Sequence, residues 1–496
     1  MNINYLPLYA VLIPFLGALT LIVVGKLFPE SAYLYTTINN FLIVIIIVSM
    51  FHYRGKILFM EFDTGLPFKL SFRVDILSLV FGLISSIIWT LVSLYSMEYM
   101  EKRENALRYN VFSLLTLTGV IGVFFAGDLF TLYIFFELLT TASFMLIIHD
   151  ETYSALRSGM GYLFMGIGGG LLLLLAIILT YHLTGRVDFL TSGMGLAANS
   201  RLLPIIFLGY IIGFGVKAGL FPFHAWMPKV YPITPMPAVA LSSGVMIKVG
   251  AYGILRTIYS VFGTELLTTN KSLINILLSL AILAIFIGSA AAIAQKDLKI
   301  MLAYSSMAQM GYIILGITLL SPLGLTGGIV HVFNHAIIKT TLFLCAGVFV
   351  YQSGISKLDE LKGIGKKMPL VTFCFTLAAL SIIGFPPFNG FISKWYLALG
   401  ALESVKIGIH SLTFGIFAVG MLLLSSFMNL IYFGPIIYNA WFYKTASGGG
   451  DQIIVSKYTS DTSLAMLIPI IILAVSTLIF GIFPRLFLTL LPLGIK

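Results

Sequence analysis

Gly213-Phe-Gly-Val-Lys217-Ala-Gly219-Leu-Phe-Pro222-Phe-His-Ala-Trp226 sets one lysine inside an apolar run and then interrupts the run with Gly219 and Pro222. A charge at the centre of a bilayer costs roughly 2.5–3.5 kcal/mol on insertion scales, so a lysine there marks a partner, a cavity or an ion path. Proline lacks an amide proton, and the helix carbonyl it leaves unpaired needs protein or water to satisfy it. A buried cation beside a broken helix is what an ion-conducting membrane protein requires.

The surrounding composition agrees. The 496 residues are 59% hydrophobic and only 10% charged, with a mean hydropathy of +1.03. No soluble core of that size is so poor in charge, so the chain reads as an all-α polytopic membrane protein. The net charge of +10 does not imply nucleic acid: many of the lysines and arginines fall in short loops, where they orient helices and meet anionic lipid. Cys345 and Cys374 lie in apolar runs and suggest no disulfide framework, zinc site or haem attachment. No metal, no cofactor and no redox chemistry of the chain's own is expected. Residues 5–24 lack a basic leader and a small-residue cleavage site, and read as a retained first span.

With about 20 residues per crossing, the apolar runs divide into about fourteen spans, centred near residues 15, 42, 85, 116, 138, 169, 211, 246, 283, 311, 338, 383, 421 and 474. Residues 51–73, with Lys56, Glu61, Asp63 and Lys69, read as a solvated connection; 97–108 and 357–367 are further charged loops, and Ser447-Gly-Gly-Gly450 is a linker. Lysine and arginine in alternate loops favour, by a small margin, both termini outside the cell membrane.

One internal repeat is visible by eye. Gly219-Leu-Phe-Pro222-Phe-His-Ala-Trp-Met-Pro-Lys229 lies without gaps over Gly384-Phe-Pro386-Pro387-Phe-Asn-Gly-Phe-Ile-Ser-Lys394. Paired, Gly/Pro-interrupted segments in two halves are the signature of inverted-repeat transporters with sites at the breaks. The breaks fall in spans 7 and 12, so five-helix units fit residues 106–262 and 263–436, preceded by three helices in 1–105 and followed by a linker and last helix in 437–496. Five crossings reverse the side on which the next unit starts, which makes the repeat inverted.

The deep ionisable residues form an ordered set. Glu137 is the one acid placed deep in a span, and Lys217 is its natural partner, since an isolated carboxylate there takes up a proton. A static ion pair pinning two helices is the bland alternative, although buried pairs stabilise poorly against apolar packing. Lys248 has about ten apolar or small residues on either side, too many for easy snorkelling, and no second deep acid to neutralise it. His331, His335 and Lys339 recur every four residues; each step drifts only about 40° around a helix, so they rise along one face. The histidines lack a third ligand for metal, and a proton relay is preferred over purely structural hydrogen bonding. Lys394 follows the second break, although Trp395 and Tyr396 also suit an interfacial, snorkelling lysine. Taken together, Glu137, Lys217, Lys248, His335 or Lys339, and Lys394 make a charge path parallel to the membrane, with Gly166, Gly168, Gly169 and Gly170 allowing close helix approach beside it.

These segments resemble the antiporter-like membrane subunits shared by Mrp-type cation/proton antiporters, respiratory complex I and membrane-bound hydrogenases. The similarity spans residues 70–435 and is carried by Phe136-Glu137-Leu138, the Lys217–Pro228 run, the run through Lys248, Ala303-Tyr-Ser-Ser-Met-Ala-Gln-Met-Gly311, the His331–Lys339 run and the Gly384–Lys394 run. The resemblance implies a Glu137/Lys217 pair, a bridging Lys248, a central His335 and a terminal Lys394. Lysine at that last position leans toward the Mrp large subunits (the D-like type) and their hydrogenase relatives, and the end at Lys496 argues against the longest complex I type. It also implies other antiporter-like and small helical membrane subunits as partners, peripheral redox subunits in redox-driven members, and H+ and Na+ as ions. Two rival readings are a stand-alone solute/proton carrier and a structural scaffold subunit.

Overall fold

The structure, a computed structural model, describes residues 3–63, 65, 69–101, 103–189, 193–443 and 462–491; the Ser447–Gly450 linker expectation lies outside them. Helices stand at each of the fourteen expected positions: α1 Ile3–Leu27, α2 Pro29–Tyr53, α3 Ile76–Tyr99, α4 Ala106–Phe125, α5 Leu129–Ile147, α6 Tyr153–Thr184, α7 Leu203–Val230, α8 Met236–Phe262, α9 Lys271–Ile293, α10 Leu298–Thr318, α11 Pro322–Ser353, α12 residues 369–406, α13 Leu412–Phe442 and α14 Leu464–Ile482. Thirteen of these are long and apolar enough to cross a membrane, and the first half of α12, Pro369–Ile383, is a shorter apolar helix.

Side-chain caps start many of them. Asp75, Asp128, Thr152, Asp297, Ser321 and Ser411 each accept a backbone N–H of the first turn of α3, α5, α6, α10, α11 and α13. Gly185 and Gly354 end α6 and α11 in the left-handed conformation, which spares them the Cβ clash any other residue meets.

Burial sorts the helices. α8, α10 and α11 are almost wholly enclosed, whereas α1, α2, α6, α9, α13 and α14 each turn an apolar face outward. α14 closes the bundle against α3, α11 and α12, with Phe333 of α11 packed 4.8 Å from Phe480 and 4.0 Å from Phe487 between ring centroids. The enclosed helices are the ones that carry Lys248, Gln309, His331, His335 and Lys339.

One expectation fails. Part of the connection between α2 and α3 is not a solvated loop but an antiparallel hairpin, β1 Leu58–Phe62 and β2 Leu70–Val74, in register Glu61↔Ser71. Glu61, Asp63 and Lys69 do stay outside, where Lys69 pairs with Glu61 at 3.2 Å, while Arg73 of β2 turns to the Phe189 carbonyl. Leu58, Phe72 and Val74 are nevertheless buried, and Gly127 N donates to Ser71 O at 2.8 Å. The charged residues drew the reading; the apolar residues between them decided the structure.

Candidate functional site

Both breaks are built alike. The first half of α7, Leu203–Ala218, ends at Gly219 in the left-handed region, with φ 63°. A Cβ at Gly219 would come within 2.4 Å of Met227 Cε, so glycine is required twice over. Leu220 N then returns to Gly215 O at 3.0 Å, and the indole of Trp226 donates to Val216 O at 2.9 Å. Orphan carbonyls at a helix end inside a membrane must find such donors. In α12, Pro369–Ile383 ends at Gly384 with φ 91°, and Asn389–Lys406 continues the span. The Phe221-Pro222 and Pro386-Pro387 peptide bonds are cis.

Lys217, on the last turn before the first break, is 4% exposed. It donates to Tyr162 Oη at 2.6 Å and Ser143 Oγ at 3.4 Å. Ser143 and Tyr162 hydrogen-bond each other at 2.6 Å, and the ammonium also lies 5.2 Å from the Tyr162 ring centroid. The expected closed pair with Glu137 is absent: among the described residues no ion pair joins them within 4.0 Å. Glu137 Oε1 is buried with no hydrogen-bond partner, set against α6 so tightly that a Cβ on Gly170 would stand 2.0 Å away. Of the α6 glycines expected to allow close approach, Gly166 faces Thr140 at 2.7 Å and Gly169 faces Val216 at 3.2 Å, measured from an added Cβ, while Gly168 meets nothing within 4 Å.

A small cavity runs from Lys217 past Tyr162 and Tyr231 to Ser242 and Met246 of α8. There α8 widens into a π-helical segment, Ser242–Met246, and a second follows at Thr257–Phe262. Widening perturbs the main-chain ladder, and such bulges gather at functional sites. Lys248, 2% exposed, donates to the Ser243 carbonyl in this segment. Ser243 Oγ bonds Ser306 Oγ of α10 at 2.9 Å, and α11 comes so close that a Cβ on Gly244 would meet Thr340 Oγ1 at 2.2 Å.

On α11 the expected stripe is present. The rings of His331 and His335 stack at 6.1 Å, and Lys339, fully buried, donates to Leu302 O at 3.1 Å. His331 is held between Ser393 Oγ at 2.8 Å and Gln309 Oε1 at 3.0 Å. His335 is different: both ring nitrogens are buried without a hydrogen-bond partner. No group of three potential metal ligands exists among the described residues. Lys394, 8% exposed, does not snorkel. It turns back across the break to Ile382 O at 2.9 Å, Ile383 O at 3.0 Å and Ser426 Oγ at 2.9 Å. It also lies 5.1 Å from the ring centroid of Tyr312, whose other neighbour is His331 at 5.3 Å. Its sequence counterpart, Lys229, is exposed.

Short polar contacts therefore tie Lys217 to Tyr162 and Ser143, Lys248 to Ser243, His331 to Gln309 and Ser393, and Lys394 to Ser426, while Glu137 and His335 stand without a hydrogen bond at their buried atoms. Sequence reasoning missed the connectors: Ser143, Tyr162, Ser243, Ser306, Gln309, Ser393 and Ser426. A hydroxyl in an apolar helix usually bonds its own turn and carries little signal; only Gln309 and the Ser242-Ser243 doublet offer one, as polar residues deep in spans. Arg256 was not among the residues singled out in the sequence. It is a buried residue of α8, paired with Asp75 at 2.8 Å, its partner 181 residues away.

Residues 126–421 match the family described as "NADH:quinone oxidoreductase/Mrp antiporter, TM", and residues 59–110 match "NADH-Ubiquinone oxidoreductase (complex I), chain 5 N-terminus". The chain is 35% identical to the N-type subunit of an NADH-quinone oxidoreductase of Desulforudis audaxviator, over 77% of this chain and 75% of the relative. It is 29% identical to the D-type subunit of a Na(+)/H(+) antiporter of Alkalihalophilus pseudofirmus, over 96% and 94%. Its fold matches a chain of an archaeal membrane-bound sulfane sulfur reductase, with TM-score 0.84, 24% identity and coverage of 98% and 96%. It also matches a chain of the Mrp complex from a Dietzia species, with TM-score 0.83, 22% identity and coverage of 99% and 96%. A polytopic helical bundle with two Gly-capped breaks, sequence matches along most of its length and these shared folds lead to one conclusion: the chain belongs to the family of antiporter-like membrane subunits common to NADH:quinone oxidoreductases and Mrp antiporters.

Proposed function

We propose that this chain is the proton-translocating, Na+/H+ antiporter-like subunit of a multi-subunit ion-translocating assembly in the cell membrane. Charge moves laterally along Glu137, Lys217, Lys248, His335 and Lys394, with His331 and Lys339 as flanking stations. One observation carries the reading. Lys217, Lys248, His331, His335, Lys339 and Lys394 are all buried, and none of these lysines has a carboxylate within 4.0 Å among the described residues. Like charges so placed cannot all be protonated together, so occupancy at one site opposes occupancy at the next.

The arrangement suggests the switch. With Lys217 held by Tyr162 and Ser143, its charge faces the cavity leading to Ser242 and opposes a proton on Lys248. Swinging Lys217 onto Glu137 withdraws that charge and favours protonation of Lys248. Reopening the pair drives the proton on toward His335, whose free nitrogens suit it for uptake and release, and then to Lys394. In this reading residues 106–262 and 263–436 are inverted five-helix units with both termini outside. The assembly supplies other antiporter-like and small helical subunits, and peripheral redox subunits where a redox reaction drives it. The likeness along nearly the whole chain to the D-type subunit of a Na(+)/H(+) antiporter supports exchange for Na+ by the assembly.

Replacing Glu137 with alanine, in an assembly shown intact by co-purification, should abolish ion transport in membrane vesicles; full activity sinks the proposal. A scaffold role draws support from Lys248, Lys339 and Lys394, which all donate to main-chain carbonyls. Wild-type transport in both Lys217→Ala and Lys248→Ala would establish it instead.

A further inference from the structure

On the face of the bundle that carries the α8–α9 and α12–α13 connections, α9 and α13 diverge and leave a cleft of about 530 Å³. The helices meet again deeper, where Ser289 of α9 and Ser425 of α13 hydrogen-bond at 2.9 Å. The cleft has a polarity gradient. Lys271 and His410 line its mouth, Asn275 and Ser279 lie one and two helical turns below Lys271, and Ile282 and Phe417 line the deeper part. No acid lines it.

One of these side chains, Asn275, is wrong for plain hydrocarbon. Ser279 satisfies itself on Asn275 O at 2.8 Å, whereas the Asn275 amide is exposed on an outward helix face and is left needing a hydrogen-bonding partner there. Lys271 spends one proton on Ile409 O at 3.3 Å and keeps two donors for another acceptor. His410 Nε2 is buried without a hydrogen-bond partner. Ser411 Oγ accepts from Phe414 N at 3.2 Å and keeps its own proton to donate. A cationic donor and an imidazole at the mouth, an amide about 6 Å below and apolar walls deeper follow the order of phosphate, glycerol ester and acyl chain.

We propose that this cleft binds one anionic phospholipid, with its phosphate at Lys271, His410 and Ser411, its ester carbonyls at Asn275, and a chain along Ile282 and Phe417. The lipid acts as a wedge between α9 and α13. α13 also presents Ser426 to Lys394 and Asn429 to the Ile382 carbonyl. Occupancy therefore sets how α13 sits against the second break. Binding is read without transport, so it stands or falls apart from the relay.

The test uses the whole assembly in nanodiscs containing a photoactivatable phosphatidylglycerol, with the phosphatidylcholine analogue of equal chain length in a parallel sample. The phosphatidylglycerol probe should label peptides of α9 and of residues 407–417. Lys271→Gln should cut that labelling about fivefold, the factor one lysine near anionic headgroups supplies, while Lys406→Gln, an exposed lysine outside the cleft, should leave it unchanged. Equal labelling by the two probes, or labelling indifferent to Lys271→Gln, overturns the proposal. So does displacement of the probe by millimolar inorganic phosphate, which would make this a free-anion site. So does a disulfide or bifunctional cross-link from Asn275→Cys to a neighbouring subunit seated in the cleft.

Discussion

Lys394 Nζ donates to the carbonyl oxygens of Ile382, at 2.9 Å, and Ile383, at 3.0 Å, twelve and eleven residues back on the far side of a helix break. A charged side chain thus satisfies the open end of the half-helix before it. At the first break an indole does that work, from Trp226 to Val216 O, while Lys217 points elsewhere. The two halves share a broken backbone but not the chemistry at the break.

Removing the Lys394 ammonium should therefore damage both structure and transport. Lys394→Met leaves the Ile383 carbonyl without its side-chain donor, at about 1–3 kcal/mol for the unsatisfied group, while the Ile382 carbonyl keeps Asn429 Nδ2 at 3.2 Å. The expected outcome is a lower unfolding temperature of the assembly together with loss of transport. Ser426→Ala, which removes one contact and leaves both carbonyls capped, should reduce transport only a few-fold. Thermal melts and vesicle transport assays on the two variants separate these effects.

The pairing of Glu137 with Gly170 makes a sharper test, because no titratable group is altered. Gly170→Ala puts a methyl where Glu137 Oε1 now lies, at 2.0 Å, whereas a methyl on Gly168 meets nothing within 4 Å. Gly170→Ala should displace the carboxylate and depress transport at least about tenfold, or about 1.4 kcal/mol of the barrier; Gly168→Ala should be neutral. Equal activity of the two variants would contradict a role for the carboxylate's position.

Tyr162 holds Lys217 away from Glu137. Tyr162→Phe deletes the 2.6 Å acceptor and leaves Ser143 alone at 3.4 Å, so the Glu137–Lys217 pair should close more often. Transport should fall several-fold without vanishing, and its pH profile should move, since the switch now rests in its closed state. An unchanged profile would mean the tyrosine is packing only.

Asp75 gives a stability prediction away from the relay. Burial pushes its carboxyl up, but the Arg256 guanidinium beside it outweighs that, and the net value is about 2. A value below the ordinary carboxylate's of about 3.9 means the folded state binds the proton less well. The resulting stabilisation, about 2 kcal/mol, is complete above pH 4 and is lost as pH falls from about 4 to about 2. Asp75→Asn should destabilise the protein by about 3 kcal/mol at neutral pH, because Arg256 is left buried without its anion. Urea or heat denaturation at pH 7 reads this directly.

Class, the number and order of the spans, and both breaks were legible residue by residue. Hydropathy over about 20 residues is an additive local quantity, and glycine with proline marks a break whatever surrounds it. Glu137, Lys217, Lys248, His331, His335, Lys339 and Lys394 also stood out, since a charge or imidazole inside an apolar helix is conspicuous on its own. What each of them touches emerged only in the folded bundle. Lys217 bonds Tyr162, 55 residues away, rather than the acid that charge complementarity suggested. Lys394 is buried while its repeat counterpart Lys229 is exposed, and Arg256 found Asp75 across 181 residues. A side chain's partner depends on which helix faces it and at what rotation, and in a bilayer any nearby carbonyl or hydroxyl competes for the same ammonium. The opening stretch, Gly213 to Trp226, shows both sides of this: its break could be read from the residues themselves, and the direction in which Lys217 points could not.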